Sequence, residues 1–248
     1  MPINFDSTPN RRDPNVKNKW TWYPNDVLPM WVADMDFPAP KPILDELHKV
    51  VNQGVLGYEM PSQSLQETVA KRMDRLYRWK VQPDSVVAVT GIVSGFNVAA
   101  RAFGSKKKGI LVQPPVYNEF HEVKNNVGIS QVNAPLVKRV DGNILSYEID
   151  WDVFKKQVKK AGIFLLCNPH NPLGIIFSRK DLLQMAKICI ENNVLIVSDE
   201  IHSELLLDDH TFTPMSKLSS EIAQHTITLI APSKTFNVAG LFCGFAII

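Results

Sequence analysis

The stretch "GIFLLCNPHNPLG", residues 162–174, decides the fold. Five apolar residues run without alternation and stop at Cys167, followed by two Asn-Pro pairs and a glycine. An unbroken apolar run of this length, closed by turn residues, reads as a strand covered on both faces, and such strands belong to parallel sheets. The same grammar recurs outward from it in "NVLIVSDE" (193–200), "TITLIAPS" (226–233), "KGILVQPP" (108–115) and "SVVAVTG" (85–91). Weaker candidates are "SQVNAPLV" (130–137) and the terminal "CGFAII" (243–248). Helical patterns lie between them. "SLQETVAKRMDRLYRW" (64–79) sets Leu65, Val69, Met73 and Leu76 on one face, and "SRKDLLQMAKICIENN" (178–193) opens on the capping residue Ser178 and aligns Leu182, Ala186 and Cys189. Alternation of this kind predicts an α/β fold with a doubly wound sheet.

Bulk properties narrow the function classes. The chain has 248 residues, 45% hydrophobic and 21% charged, enough for a large domain with its own core. A formal net charge of +2 without a basic block gives no support to nucleic-acid or membrane-surface binding. No apolar run reaches spanning length, and the polar start "MPINFDSTPNRRDPNVKNKW" lacks the apolar middle of a signal peptide. Cys167, Cys189 and Cys243 form no CxxC pair and read as reduced thiols, so a cytoplasmic protein is expected. The chain stops on an apolar strand with no polar tail, which reads as a truncated product.

Polar residues follow the apolar runs at their carboxyl ends: Thr90 and Gly91, Pro114 to Tyr117, Asn168 to Asn171, Asp199 to His202, and Ser233 with Lys234. In an open α/β sheet ligands bind at that edge, so five strands delivering polar groups to it is an active-site signal. Each residue also has a plainer reading. Loop lysines usually point to solvent, but a lysine near a buried strand end loses its proton more readily and becomes a nucleophile toward carbonyls. Asp199 could cap a turn; as a buried carboxylate it calls for a cationic partner such as a protonated pyridine nitrogen. Asn171 sits in a strand-terminating turn and can donate its amide to a phenolate oxygen. Tyr117, after a rigid Pro-Pro turn, is a core tyrosine or a ring that stacks on a flat ligand. "TGIVSGFNVAARAFG" (90–104) places a glycine turn before a helix, a tight turn or an anion site, and is neither a P-loop nor GxGxxG. The six histidines show no HExxH spacing and no GxSxG elbow is present, so zinc and serine hydrolase chemistry lack support and no metal site is expected.

Taken together, these segments resemble the fold-type I, pyridoxal-phosphate-dependent enzymes of the class I/II aminotransferase-like superfamily, and within it the MalY/PatB-type cystathionine β-lyase branch. The resemblance runs from "LPMWVADMDFPAP" (28–40) through "GVLGYEMP" (54–61), "PPVYNEF" (114–120), "CNPHNPLG" (167–174), "SDEIHSEL" (198–205) and "APSKTFNVAGL" (231–241) to the last residue. It implies a carbon–sulfur β-lyase that cleaves cystathionine or cysteine conjugates to a thiol, pyruvate and ammonia. An aminotransferase, or a truncated chain that only binds cofactor or partner, is the alternative.

The resemblance also assigns roles. Lys234 is implied as the covalent anchor of pyridoxal 5'-phosphate and the proton-transferring base. Asp199 would pair with the pyridine nitrogen, and Asn171 with the phenolic oxygen. His202, three residues after Asp199, stands where many relatives carry a tyrosine near that oxygen. Tyr117 would stack on the ring. Ile92 and Val93 would offer backbone N–H groups to the phosphate, and Ser233 its hydroxyl. Tyr58 would reach the phosphate of a neighbouring subunit, which implies a homodimer, and residues 31–35 would line the amino-acid end of the substrate. Residues 1–50 would form an N-terminal arm with part of the small domain, and 51–248 the large cofactor domain, whose doubly wound, mostly parallel seven-stranded sheet the resemblance matches to the seven strand candidates, with "CGFAII" as its one antiparallel strand. Two departures stand out. Phe242, eight residues after the lysine, replaces a common phosphate-binding arginine, and the C-terminal small domain with its carboxylate-binding arginine is absent.

Overall fold

The computed structural model describes residues 5–248. The chain divides into two compact units, residues up to Met60 with Pro232–Phe242, and Pro61–Ala231 with Cys243–Ile248. This division differs from a cut at residue 50, because the segment around Lys234 packs with the N-terminal residues.

Among its described residues the first unit carries the α-helices α1 (Lys19–Trp22) and α2 (Lys41–Gln53) and a short 3-10 turn, Ala239–Leu241. Asn18 caps α1 in a capping box with Thr21. Pro42 suits the first turn of α2, where its missing N–H is not needed, and Gly54 at φ 76° ends that helix in the left-handed region.

The second unit is the sheet unit. In chain order it contains α3 (Gln63–Tyr77), β1 (Val86–Val89), α4 (Ile92–Phe103), β2 (Gly109–Val112), α5 (Asn118–Val127) and β3 (Gln131–Asn133). There follow β4 (Leu136–Asp141), β5 (Ile144–Ile149), α6 (Trp151–Val158), β6 (Ala161–Cys167) and α7 (Arg179–Glu191). The unit ends with β7 (Leu195–Asp199), α8 (Ser220–Gln224), β8 (Thr226–Ile230) and β9 (Gly244–Ile247). Seven strands make one sheet in the order β1-β9-β8-β7-β6-β2-β3. β9 runs antiparallel to both β1 and β8, and the other pairings are parallel.

Why the runs do not alternate is visible in what covers them. Successive side chains of a strand point to opposite faces. Phe164, Leu166 and Ile196 pack with Phe154 and Val158 of α6 and Leu182, Met185 and Cys189 of α7. Their neighbours Ile163, Leu165 and Val197 pack with Phe96 of α4 and Phe120 and Val123 of α5. At the β1–β9 end, Val69 and Met73 of α3 close over Val86, Phe245 and Ile247. Both faces are dry, so both sets of positions must be apolar. Each of the seven expected runs contributes a strand to this sheet, with the terminal one antiparallel.

Two local expectations need correction. The run 130–137 is not one strand: β3 stops at Asn133, and Leu136 starts β4, which pairs with β5 in a separate two-stranded hairpin. That hairpin was missed because its strands are mostly exposed and polar. On α3 the buried residues are Val69, Ala70 and Met73, while Leu65 and Leu76 at the ends of the expected stripe remain 37% and 41% exposed. Ser178 does cap α7, accepting from the Asp181 N–H at 3.1 Å.

Candidate active site at the carboxyl edge of the sheet

The strand ends are level. Cys167 on β6 pairs with Asp199 on β7, and Asp199 pairs with Leu229 on β8. The ladder continues one step further, since the Asn168 N–H donates to the Asp199 carbonyl at 3.0 Å and the Glu200 N–H to the Leu229 carbonyl at 2.9 Å. Asp199 therefore leaves the sheet at a defined height, only 7% exposed, with its Oδ1 accepting from the Ile201 N–H at 3.1 Å.

Tyr117 comes to the same place by a different route. It follows β2 after the Pro-Pro turn, and its N–H donates to the Asn171 carbonyl at 3.0 Å. Burial raises the Tyr117 hydroxyl above its ordinary value, with the nearby negative charges of Glu119 and Asp199 adding to the effect. The Asn171 N–H in turn points at the Cys167 sulfur at 3.3 Å, and burial, reinforced by Asp199, keeps that thiol protonated. Tyr117, Asn171 and Asp199 are thus brought together from three strand ends. His202 lies in the turn after β7, half-buried, its carbonyl accepting from the Leu205 N–H at 3.0 Å.

Ile92 and Val93 open α4 just after β1, which has the same direction as β7 because β1 and β8 each pair antiparallel with β9 and β8 pairs parallel with β7. Gly91 at the N-cap has φ 121° and ψ 163°, a conformation essentially reserved for glycine, and offers no side-chain cap. The first N–H groups of α4 therefore have neither a helical partner nor a capping side chain, which suits an anion.

In the other unit, Lys234 donates from Nζ to the Ala33 carbonyl at 3.0 Å. Ser233 is half-buried beside it, and its carbonyl accepts from the Val238 N–H at 3.1 Å. Asn237 ties the same loop to Met35 and Phe37 through its side chain. Tyr58 is fully exposed.

Beneath residues 33–37 lies a charge network that the sequence reading passed over. Arg11 bridges Asp34 at 2.9 Å and Asp36 at 2.8 Å, and Lys19 bridges the same two carboxylates at 2.9 and 3.0 Å. Lys19 is 8% exposed. Burial by itself would pull its ammonium down, but the hydrogen bonds and charges of Asp34 and Asp36 outweigh burial and leave it raised. Both aspartates are lowered despite their own burial, through Lys19 and Arg11 and, for Asp36, the Trp20 indole N–H at 2.8 Å. The alternating acids of "ADMDF" (33–37) were the available sequence signal; their partners lie too far upstream for spacing to pair them.

A second overlooked residue is Glu200, next to Asp199. It is 1% exposed, and its Oε1 accepts from the Ser198 hydroxyl and the Met215 N–H, each at 2.9 Å. Burial pushes its carboxyl up to about 8. Among the described residues, no group of three or more His, Cys, Asp or Glu side chains could hold a metal ion. No described helix is long and apolar enough to cross a membrane.

In the sheet unit, the donor set suits a flat ligand with a basic ring nitrogen, a phenolic oxygen and an anionic group: a buried carboxylate, an amide, a ring to stack on, and an uncapped helix start. The profile of the aminotransferase class I and II family matches residues 27–248. The chain belongs to that family.

As a class I/II aminotransferase-family member, it is 41% identical over 218 residues to cystathionine β-lyase PatB of Bacillus subtilis, covering 87% of this chain and 55% of that protein. It is 32% identical to the cystathionine β-lyase of Corynebacterium glutamicum, covering 91% and 58%. Among solved structures, cystalysin from Treponema denticola, which contains a pyridoxal 5'-phosphate cofactor, superposes with a TM-score of 0.91 at 30% identity. The match covers all of this chain and 64% of that one. The chain thus spans between half and two thirds of the length of these relatives. The sheet unit shares its fold with that solved structure.

Proposed function

We propose that the chain is the cofactor-binding part of a pyridoxal-phosphate-dependent carbon–sulfur β-lyase that cleaves cystathionine or cysteine conjugates to a thiol, pyruvate and ammonia. The observation that carries this reading is the convergence of Asp199, Asn171 and Tyr117 at level strand ends, at the edge where α4 also begins. The similarity to cystathionine β-lyases supports the choice of reaction within the family.

Bound at this edge, pyridoxal 5'-phosphate supplies a ring that accepts the negative charge left when an amino acid loses its α-proton. The protein's part is to set the ring's charge, hold it and move the proton. Asp199, a buried carboxylate at the end of β7, would pair with the ring nitrogen and keep the ring cationic. Asn171 would donate its side-chain amide to the phenolic oxygen, and His202 is the further candidate near that oxygen. Tyr117 would stack on the ring. The N–H groups of Ile92 and Val93 would take the phosphate, a role that the family resemblance also implies for the Ser233 hydroxyl. Lys234 would anchor the cofactor covalently, and its Nζ would take the α-proton. As that proton is removed the C–S bond would break and the thiolate would leave the β-carbon, and water would hydrolyse the released aminoacrylate to pyruvate and ammonia. The exposed run Val55, Leu56, Tyr58 and Met60 supports a homodimer in which Tyr58 serves the partner's phosphate. Three free cysteines suit the reducing cytoplasm.

The test is borohydride reduction of the chain incubated with pyridoxal 5'-phosphate, followed by peptide mass mapping. A phosphopyridoxyl group on Lys234, lost in Lys234→Ala, is expected. Label spread evenly over exposed lysines would overturn the assignment. Pyruvate release from cystathionine, measured beside amino transfer to a keto acid, then separates lyase from aminotransferase.

A further inference from the structure

We propose that Asn237 is a positioning residue that fixes the Lys234 amine against residues 33–37; the inference rests on the reading of Lys234 as the reactive amine. Asn237 has φ 55°, in the left-handed region that asparagine tolerates better than most residues. That turn aims its side chain at a segment some two hundred residues earlier in the chain. Its Nδ2 donates to the Met35 carbonyl at 2.9 Å and the Phe37 carbonyl at 3.1 Å, and its Oδ1 accepts from the Met35 N–H at 3.0 Å. One side chain thereby satisfies three backbone groups of an irregular segment, groups that no sheet or helix would otherwise pair.

The opposite side of the segment is held as firmly. Asp34 and Asp36 are clasped by Arg11 and Lys19, and Asp36 also accepts from Trp20. The lysine loop is closed on itself by the Phe236 N–H to the Pro232 carbonyl at 2.9 Å and the Val238 N–H to the Ser233 carbonyl at 3.1 Å. Between these two rigid pieces, Lys234 Nζ donates to the Ala33 carbonyl at 3.0 Å. A lysine on its flexible stem otherwise samples many rotamers. An amine that gives one N–H to a fixed carbonyl keeps its lone pair directed away from that oxygen, and attack on a carbonyl or uptake of a proton depends on that direction. Asn237 does not touch the amine; it sets the distance between the loop that carries the amine and the carbonyl that receives it.

The experiment compares the native chain with Asn237→Gly and Asn237→Asp. Glycine keeps the left-handed backbone and removes only the side chain. Aspartate keeps the backbone and the acceptor for Met35 but cannot donate to the two carbonyls. Competitive acetylation of the cofactor-free chain, read by peptide mass against exposed Lys41 and Lys187 as internal standards, reports the Lys234 amine without any cofactor. Loss of one net hydrogen bond corresponds to about a fivefold change, so acetylation of Lys234 should rise about fivefold in both variants. The rate of borohydride-trapped adduct with pyridoxal 5'-phosphate should fall by a similar factor. A lower thermal midpoint with unchanged relative acetylation of Lys234 would show a purely structural residue and overturn the proposal. If the native chain forms no adduct at Lys234, the reading of the reactive amine fails, while the acetylation arm still decides whether Asn237 positions that side chain.

Discussion

Replacing Glu200 by glutamine should flatten the pH dependence of stability between about pH 5 and 8. Glu200 is 1% exposed, and burial is the main reason its carboxyl is pushed from 4.5 up to about 8; the Met215 N–H and Ser198 hydroxyl pull the other way, and Asp199 adds to the rise. In the unfolded chain the carboxyl ionises near its ordinary value. Between about pH 4.5 and 8 the folded state therefore binds a proton that the unfolded state has released, and stability falls as pH rises through this window. The contribution is fully present below the unfolded value and lost once pH passes the folded one. Each unit of pH is worth about 1.4 kcal/mol, so from pH 5.5 to 8 the loss is on the order of 3 kcal/mol. Glutamine has nearly the same shape and keeps an oxygen for the two donors, but does not titrate. Urea unfolding of the native chain and Glu200→Gln at pH 5.5, 6.5, 7.5 and 8.5 measures the difference, since every other titrating group is common to both. The native chain should lose about 3 kcal/mol more than the variant across this range. Parallel curves would refute the reasoning, because they would mean that the carboxyl ionises in the folded chain as easily as in the unfolded one.

Gly91→Ala should cost about 1–3 kcal/mol in urea unfolding, from backbone conformation alone, because a Cβ there meets no atom within 4 Å. Phosphate protection of the chain against heating should also weaken in this variant, and unchanged unfolding would show that the turn relaxes. His170, 3% exposed against Phe177, is pulled down to about 4 by burial, so its ring protons in NMR should titrate near that value and not near 6.5. Its neutral form then contributes stability above about pH 6.5 that is lost as pH falls toward 4.

Much of this molecule was legible in the residues because parallel sheets leave a strong imprint. Each central strand is covered on both faces by helices, so "GIFLLC" and "VLIV" carry no alternation, and the polar residues that follow them mark one edge. Asp199, Asn171 and Tyr117 could be named for that reason. The β4–β5 hairpin could not, because most of its side chains face solvent and leave no apolar pattern. Glu200 looked like one more acid after a strand; only the fold shows that Ser198 and Met215 enclose it.

By itself the sequence determined the sheet, its seven strands, the edge that bears the polar groups and the family, since these follow from local periodicity and from short motifs. Tertiary structure alone decided which distant groups meet. Lys19 and Arg11 close on Asp34 and Asp36, and Asn237 closes on Met35 and Phe37, across separations at which no spacing rule operates. The physical reason is that burial and pairing depend on three-dimensional neighbours, and those neighbours turn an ordinary carboxylate, lysine or asparagine into a fixed, perturbed and specific one.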